Sequence, residues 1–383
     1  MKKLSLFDGI LVRKKMRRRS FVHQSAKVTL GLSAGILSQG SYAQRLEKID
    51  GGKVGFAILG LGNFASYVAP RLKNCKHAKL AALISSDKQK AQAWANSFDI
   101  DSSNIYSYHD MDRIADNPSI AAVYVATPVG THKNFAIKAL NAGKHVLTEK
   151  TMASSVEEGE EMIEIAQANN RKLMVAYRAR YEPFNQEAIK ICRDESLGPL
   201  VAISAHKGFN IGNRFGKNNW RLNPRLSGGG TLLDIGIYSI QACRYLAGVE
   251  PLEAMAVANG KGGVEFDLSF ILRFPEEVQA VGSASWNYGL QNYYRAAFSR
   301  GYVELDPATS NGNLRMKVKQ ENPREIRERF LSNVDQIVAE FDHFATCILE
   351  DRPPLTSGEE GLKDLKVIQA IYQSVREQRP IQV

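Results

Sequence analysis

Apolar positions along the chain follow two different rhythms. Between residues 54 and 174, continuous apolar runs at 54–59, 80–84, 121–125 and 145–147 alternate with helical segments at 63–73, 88–98, 134–142 and 155–169. A strand that is apolar on both sides is buried on both sides. Its alternation with helices is the pattern of a parallel sheet covered on both faces. Ser155 and Glu158 have capping-box spacing at the start of the last of these helices. Past residue 175, strand-like pieces follow one another at 200–204, 254–258, 266–274, 278–285 and 296–305, with helical segments at 236–246, 334–349 and 358–376. Successive strands joined by short turns predict a mostly antiparallel sheet. A chain of 383 residues is long enough for two such domains.

The first strand runs into Gly60-Leu61-Gly62-Asn63-Phe64-Ala65, a G-x-G-x-x-A turn that opens a helix. The first glycine permits the tight turn, the second lets a pyrophosphate approach the backbone, and the small third residue lets helix and strand pack closely. Free N–H groups at the helix start then face the phosphates. Gly60, Leu61, Gly62, Asn63 and Phe64 are therefore expected to hold a dinucleotide. The second strand ends in Ser85-Ser86-Asp87-Lys88-Gln89-Lys90. Ser85 and Lys90 suit a ribose 2′-phosphate and favour NADP(H), whereas Asp87 could reach a 2′-hydroxyl. The fold class expected is α/β. A Rossmann dinucleotide-binding domain spans 54–174, and an α+β substrate and oligomerisation domain with a large, mostly antiparallel open sheet spans 175–383.

Composition adds little until the charge is located. The net charge is +10, but residues 1–43 carry +8 of it, leaving +2 for the rest. The nearly neutral body gives no reason to expect a nucleic-acid partner. The basic head precedes a short apolar stretch, 28–37, and the small-x-small site Ser41-Tyr42-Ala43. This is the layout of a secretory signal cleaved after Ala43, with 44–53 left as a short arm. Arg18-Arg19-Ser20-Phe21-Val22 resembles a twin-arginine export signal, so the expected location is the periplasm and the expected partner the twin-arginine machinery. The apolar stretch is far short of the ~20 residues that span a bilayer, so no permanent anchor is expected. Cys75, Cys192, Cys243 and Cys347 have no metal-site or disulfide-framework spacing and read as free thiols.

Ala126-Thr127-Pro128 with His132, the stretch from Ala142 through Glu149-Lys150, and Asp234-Ile235-Gly236-Ile237-Tyr238 together resemble the glucose–fructose oxidoreductase family. Tyr177-Arg178-Ala179-Arg180-Tyr181, Trp220-Arg221-Leu222, Gly228-Gly229-Gly230 and Asp306-Pro307-Ala308-Thr309 extend the likeness from about residue 54 to the C-terminus. The family's Glu-Lys-Pro reads Glu149-Lys150-Thr151 here, and the long arm of the periplasmic members is reduced to about ten residues.

The resemblance implies Lys150, Asp234 and Tyr238 as catalytic residues, and Lys150, Arg180, Asp234 and Tyr238 as substrate contacts. It implies Thr127, Pro128, His132, Glu149, Lys150, Arg178, Trp220 and Arg221 as further cofactor contacts, with His132 and His145 read as structural, and no metal. Oxidation of a sugar hydroxyl needs a base while hydride leaves carbon. Tyr238 can serve if a neighbouring ammonium, Lys150, favours its phenolate. Asp234, one helical turn earlier, could orient sugar hydroxyls or the lysine. The resemblance further implies a homo-oligomer, dimer or tetramer. An exported enzyme has no free NADP(H) to draw on, so the expected activity recycles a tightly bound cofactor between an aldose and a second sugar. The alternatives are a sugar dehydrogenase with exchangeable cofactor, a redox-neutral NAD(P)-dependent glycosidase, and a non-catalytic sensor.

Overall fold

Each apolar run of the first half becomes a strand of one sheet. The computed structural model describes residues 52–383 except 212–215, 217–218 and 322–324. The expected export signal, its expected cleavage site and nearly all of the expected arm therefore lie outside the described residues. Strands β1 (Val54–Leu59), β2 (Ala78–Ile84), β3 (Ile105–Tyr106), β4 (Ala122–Val125), β5 (His145–Thr148) and β6 (Leu173–Val175) form a six-stranded sheet in the order β3-β2-β1-β4-β5-β6. Every pairing in it is parallel, and all six residues of β1 are buried. Helices α1 (Asn63–Val68), α2 (Lys88–Phe98), α3 (His132–Asn141) and α4 (Val156–Ala168) supply crossovers. The chain leaves β1 towards β2 and later returns to β4 on the other side of β1. The crevice beyond the ends of β1 and β4 is thus the point where the winding reverses, which is where ligands bind such sheets.

Two local expectations need correction. The first helix was expected to reach residue 73, but α1 stops at Val68 and continues as a 3-10 turn, Ala69–Asn74. Pro70 lacks the N–H that an α-helix interior requires. At the start of α4, Ser155 Oγ accepts from Glu158 N at 3.3 Å, as a capping box demands. The Glu158 carboxylate, however, accepts from Ser154 N rather than from Ser155 N.

The second half builds α5 (Pro183–Ile191), β7 (Leu200–Gly208), α6 (Pro224–Ser227), α7 (Ile237–Ala247), β8 (Glu253–Lys261), β9 (Val264–Arg273), β10 (Gln279–Ser285) and β11 (Gln291–Phe298). It continues with β12 (Gly301–Leu305), β13 (Met316–Gln320), β14 (Glu325–Arg329), α8 (Gln336–Glu350), α9 (Gly358–Glu377) and β15 (Ile381–Gln382). Its nine-stranded sheet has the order β14-β13-β12-β11-β7-β10-β9-β8-β15 and is antiparallel except between β7 and β10. The single strand expected at 296–305 is a hairpin, β11–β12, turning at Ser299 and Arg300. The charged strands β13 and β14 carried too few apolar residues to be read from the sequence. Along the sheet's outer side, Met255, Ile271 and Val281 are exposed and lie in cross-strand register.

Helix α8 follows the second sheet in sequence but packs on the first. Phe341 makes edge contacts with Phe56 and Tyr124 at 5.0 and 5.1 Å between centroids, and Phe344 reaches Phe56. Asp342 anchors the helix by accepting from the backbone N–H groups of Lys76 and His77 at 2.9 and 2.7 Å. Phe341→Ala should therefore lower the unfolding free energy by about 3–5 kcal/mol, as a cavity beneath β1 and β4. Phe330→Ala, at a position 87% exposed, should change it by less than about 0.5 kcal/mol. Denaturant titration of both variants checks this, and equal effects would remove α8 from the first core.

Candidate active site

The cofactor end of the site is built on the turn after β1. Gly60 has φ +92°, and a Cβ there would stand 2.8 Å from Thr127 Cγ2 and 2.9 Å from Ala126 O, so only glycine fits. At Gly62 a Cβ would meet nothing within 4 Å; it would project into the open crevice a pyrophosphate would occupy. Ala65 and Leu61 are both buried. Asn63 and Phe64 are exposed at its rim. These residues fit a dinucleotide.

Past β2, Ser85 Oγ accepts from Asp87 N at 3.1 Å, and Asp87 Oδ1 accepts from Lys90 N at 2.9 Å. Asp87 is thus the N-cap of α2, with its carboxylate turned onto its own helix. Lys90 is exposed one turn further on.

The loops after β4 and β5 form the opposite wall. His132 is fully buried, with Nδ1 2.9 Å from Thr151 O and Nε2 2.8 Å from Thr127 O. With no exposed surface its ring cannot touch a cofactor. It acts by tying together the loops that carry Thr127, Pro128 and Lys150, which corrects its place among the expected cofactor contacts. Burial pulls its pKa down, against the opposing pull of the carbonyls. The Lys150–Thr151 peptide bond is cis. Glu149 accepts from the Tyr124 hydroxyl at 2.6 Å and from Lys150 N at 3.2 Å. Burial raises its pKa, while Tyr124, Lys150 and Arg178 oppose the rise. Near it, Glu340 of α8 is buried and pushed well above the usual carboxylate range, first by desolvation and then by Glu149. Its Oε1 has no hydrogen-bond partner among the described residues.

The expected catalytic residues meet where the two sheets adjoin. Lys150 Nζ donates to the main-chain carbonyl of Asp234. The Asp234 carboxylate instead faces Arg221, with Oδ2 3.1 Å from Nε, and Arg221 lies 4.4 Å over the Trp220 ring. The lysine is therefore oriented by a peptide carbonyl and not by the carboxylate. The segment joining Asp234 to Tyr238 is helical, with a π turn over Leu232–Gly236 that runs directly into α7 and is wound more loosely than an α-helix. Three cations surround the Tyr238 ring: Lys150 Nζ and Arg178 Cζ, each 5.4 Å from its centroid, and Lys207 Nζ at 5.3 Å. Arg178 donates to Thr309 O at 2.9 Å and to the Gln336 side chain. Arg180 shares a cleft with Tyr238, but its guanidinium stacks on Tyr245 at 3.9 Å.

The glycine run explains how the π turn is held. A Cβ on Gly229 would fall 2.3 Å from the Tyr372 hydroxyl, and one on Gly230 would fall 2.0 Å from Glu265 O. The Glu265 carboxylate accepts from Gly230 N at 2.8 Å, Leu232 N at 2.9 Å and the Tyr372 hydroxyl at 2.8 Å. Beyond the π turn, Lys150, Asp234, Arg221, Trp220 and Trp286 line one cleft.

Lys207 and Glu340 were missed from the sequence, yet each left a signal. Ile203 and Ala205 are buried, and the two-residue period of β7 puts Lys207 on their face. Glu340 falls in the apolar stripe of Ile337, Phe341 and Phe344 on α8. All four cysteines are free. No cluster of His, Cys, Asp or Glu able to hold a metal occurs among the described residues, and no helix among them is long and apolar enough to cross a membrane.

A model for an oxidoreductase family with an NAD-binding Rossmann fold matches residues 54–177, and one for the GFO/IDH/MocA C-terminal domain matches 185–304. The chain is 42% identical to an aldose–aldose oxidoreductase from Caulobacter crescentus, whose crystal structure in complex with glycerol it matches with a TM-score of 0.83, covering 86% of this chain and 100% of that one. It is 29% identical over 333 residues to a D-xylose 1-dehydrogenase (NADP(+)) of Haloarcula marismortui, covering 84% of this chain and 91% of the relative. A D-xylose 1-dehydrogenase (NADP(+)) 2 of Haloferax volcanii is 26% identical over 326 residues, covering 83% and 96%. With a reversal-point crevice built for a dinucleotide and a Lys150/Tyr238 pair at its mouth, this chain belongs to the GFO/IDH/MocA family of nicotinamide-dependent oxidoreductases.

Proposed function

We propose that this protein is a sugar oxidoreductase with tightly held NADP(H) that oxidises an aldose, such as glucose, to its lactone and passes the hydride to a second sugar, fructose or another aldose. The observation that carries this reading is Tyr238, set among three ammonium and guanidinium groups beside a cleft lined by Asp234, Lys150, Arg221 and the partly exposed Trp220. The Trp220 ring suits the apolar side of a sugar ring, and Asp234 and Arg221 suit its hydroxyls. The names of the aldose–aldose oxidoreductase and the two xylose dehydrogenases support the substrate class. NADP is favoured because Asp87 is spent on capping α2, leaving Ser85 and Lys90 for a 2′-phosphate.

A bound nicotinamide supplies the hydride acceptor and donor. The phenolic oxygen of Tyr238 takes the proton of the sugar hydroxyl as it is oxidised and returns it to the carbonyl oxygen of the second sugar. Lys150, fixed by Asp234 O, holds positive charge 5.4 Å from the centroid of the Tyr238 ring, and the Asp234–Arg221 pair orients the neighbouring hydroxyls. Residues 1–43 are proposed as a twin-arginine signal that delivers the enzyme to the periplasm, where recycling of a bound cofactor is needed. The exposed row Met255, Ile271 and Val281 supports a homo-oligomer assembled through the outer sheet face.

Purified protein given glucose should gain the absorption of reduced nicotinamide and lose it when fructose follows. Tyr238→Phe should keep fold and cofactor while slowing both phases by about 10²–10⁴-fold. Near-normal phases in that variant would sink the assignment. Lys90→Ala should weaken NADP(H) about tenfold with little change for NAD(H), since only the former offers a 2′-phosphate. Equal losses in binding titrations would show that Lys90 does not read that group. For targeting, replacing Arg18 and Arg19 by lysine should leave uncleaved precursor in the cytoplasm, and unchanged export on fractionation would remove the twin-arginine reading.

A further inference from the structure

Lys207 is a partly buried ammonium with an unusual set of neighbours. Its Nζ donates to Thr309 Oγ1 at 2.7 Å, and that hydroxyl donates onward to Asn292 Oδ1 at 2.7 Å. Asn292 is the cross-strand partner of Lys207 in the β7–β11 pairing, and its Oδ1 also accepts from Thr309 N at 3.1 Å. These contacts fix where Nζ lies without neutralising it. The charged or titratable groups facing it are Lys150 from the end of β5, Arg178 from the segment after β6, and Tyr238 of α7. His206, next to it in sequence, points to the other side of the sheet and pairs with Ser283. Among the described residues no carboxylate forms an ion pair with Lys207. A cation placed near two others and away from carboxylates is costly, and burial together with Arg178 and Lys150 pushes its pKa down to about 7. A plain hydrogen-bonding role towards Thr309 would be met by a neutral side chain at no such cost.

We infer that Lys207 is a positioning residue for proton transfer at Tyr238: its ammonium, held by Thr309 on the ring's third side, keeps negative charge on the phenolic oxygen so that the tyrosine can accept the sugar's proton. This inference rests on the reading of Tyr238 as the acid/base. In sugar oxidation the hydroxyl proton moves to the Tyr238 oxygen while hydride leaves the same carbon. Lys207 stays an ammonium through that step and forms no bond. On losing its proton to solvent, Lys207 stops favouring the phenolate, so the electrostatic help it gives depends on pH.

The test is the pH profile of the hydride step of sugar oxidation in the cofactor-loaded enzyme, for wild type, Lys207→Met and Lys207→Arg. Lys207→Met should move the ascending limb alkaline by about one pH unit or more, the direction and scale that loss of a nearby opposite charge produces. Lys207→Arg, whose charge does not titrate, should keep the limb at or below its wild-type position. In a Tyr238→Phe background, Lys207→Met should add little further loss. A limb that stays in place in Lys207→Met, while Tyr238→Phe still abolishes most turnover, overturns the role of Lys207 and leaves that of Tyr238 standing. A near-normal Tyr238→Phe enzyme overturns both. Should Lys207→Met not retain cofactor, an arginine variant whose limb moves alkaline overturns the inference on its own.

Discussion

One hydrogen bond joins the two halves of the chemistry. Lys150 stands just past a strand of the parallel sheet, and the carbonyl that receives its ammonium belongs to Asp234, at the head of the helix lying on the antiparallel sheet. A carbonyl carries no net charge, so the lysine is aimed without being neutralised. A carboxylate in the same place would have aimed it equally well and cancelled the positive field at Tyr238. The remaining geometry serves this arrangement. Glu265 takes three donors to fix the turn bearing that carbonyl, and the glycines before it leave no room for side chains. His132 pins the loop on the lysine's own side. Arg221 takes the Asp234 carboxylate, so the lysine meets only the main-chain oxygen of that residue.

Much of this could be read from the residues. The parallel sheet announced itself because strands buried on both faces are continuously apolar, and β1 is buried throughout. The glycine turn was legible because the conformation at Gly60 admits no other residue. Some of what stayed hidden depends on partners remote in sequence. Nothing local distinguishes a helix that packs beside its neighbours from α8, which crosses back to the first sheet through Phe341 and Phe344. The π turn that carries Asp234 is held by Glu265, itself bonded to Tyr372, and both lie far along the chain. Strands β13 and β14 sit at a sheet edge, where charged side chains are tolerated and periodicity fades. Lys207 was in principle visible as a charge on the core face of β7, but the strand was expected to end at Ser204, before the lysine.

The return of α8 has a consequence for the order in which the molecule is made. A chain emerging from the ribosome N-terminus first presents all six parallel strands by Val175, yet Phe56 and Tyr124 still lack the aromatic layer that covers them. That layer lies in Gln336–Glu350, made only after the strands of the second sheet from β7 to β14. The nucleotide-binding half is therefore not an autonomous unit that matures early while its companion is still being synthesised. The first half completes only once α8 has been made, and a product truncated before α8 would expose the apolar floor of its first sheet to chaperones and proteases.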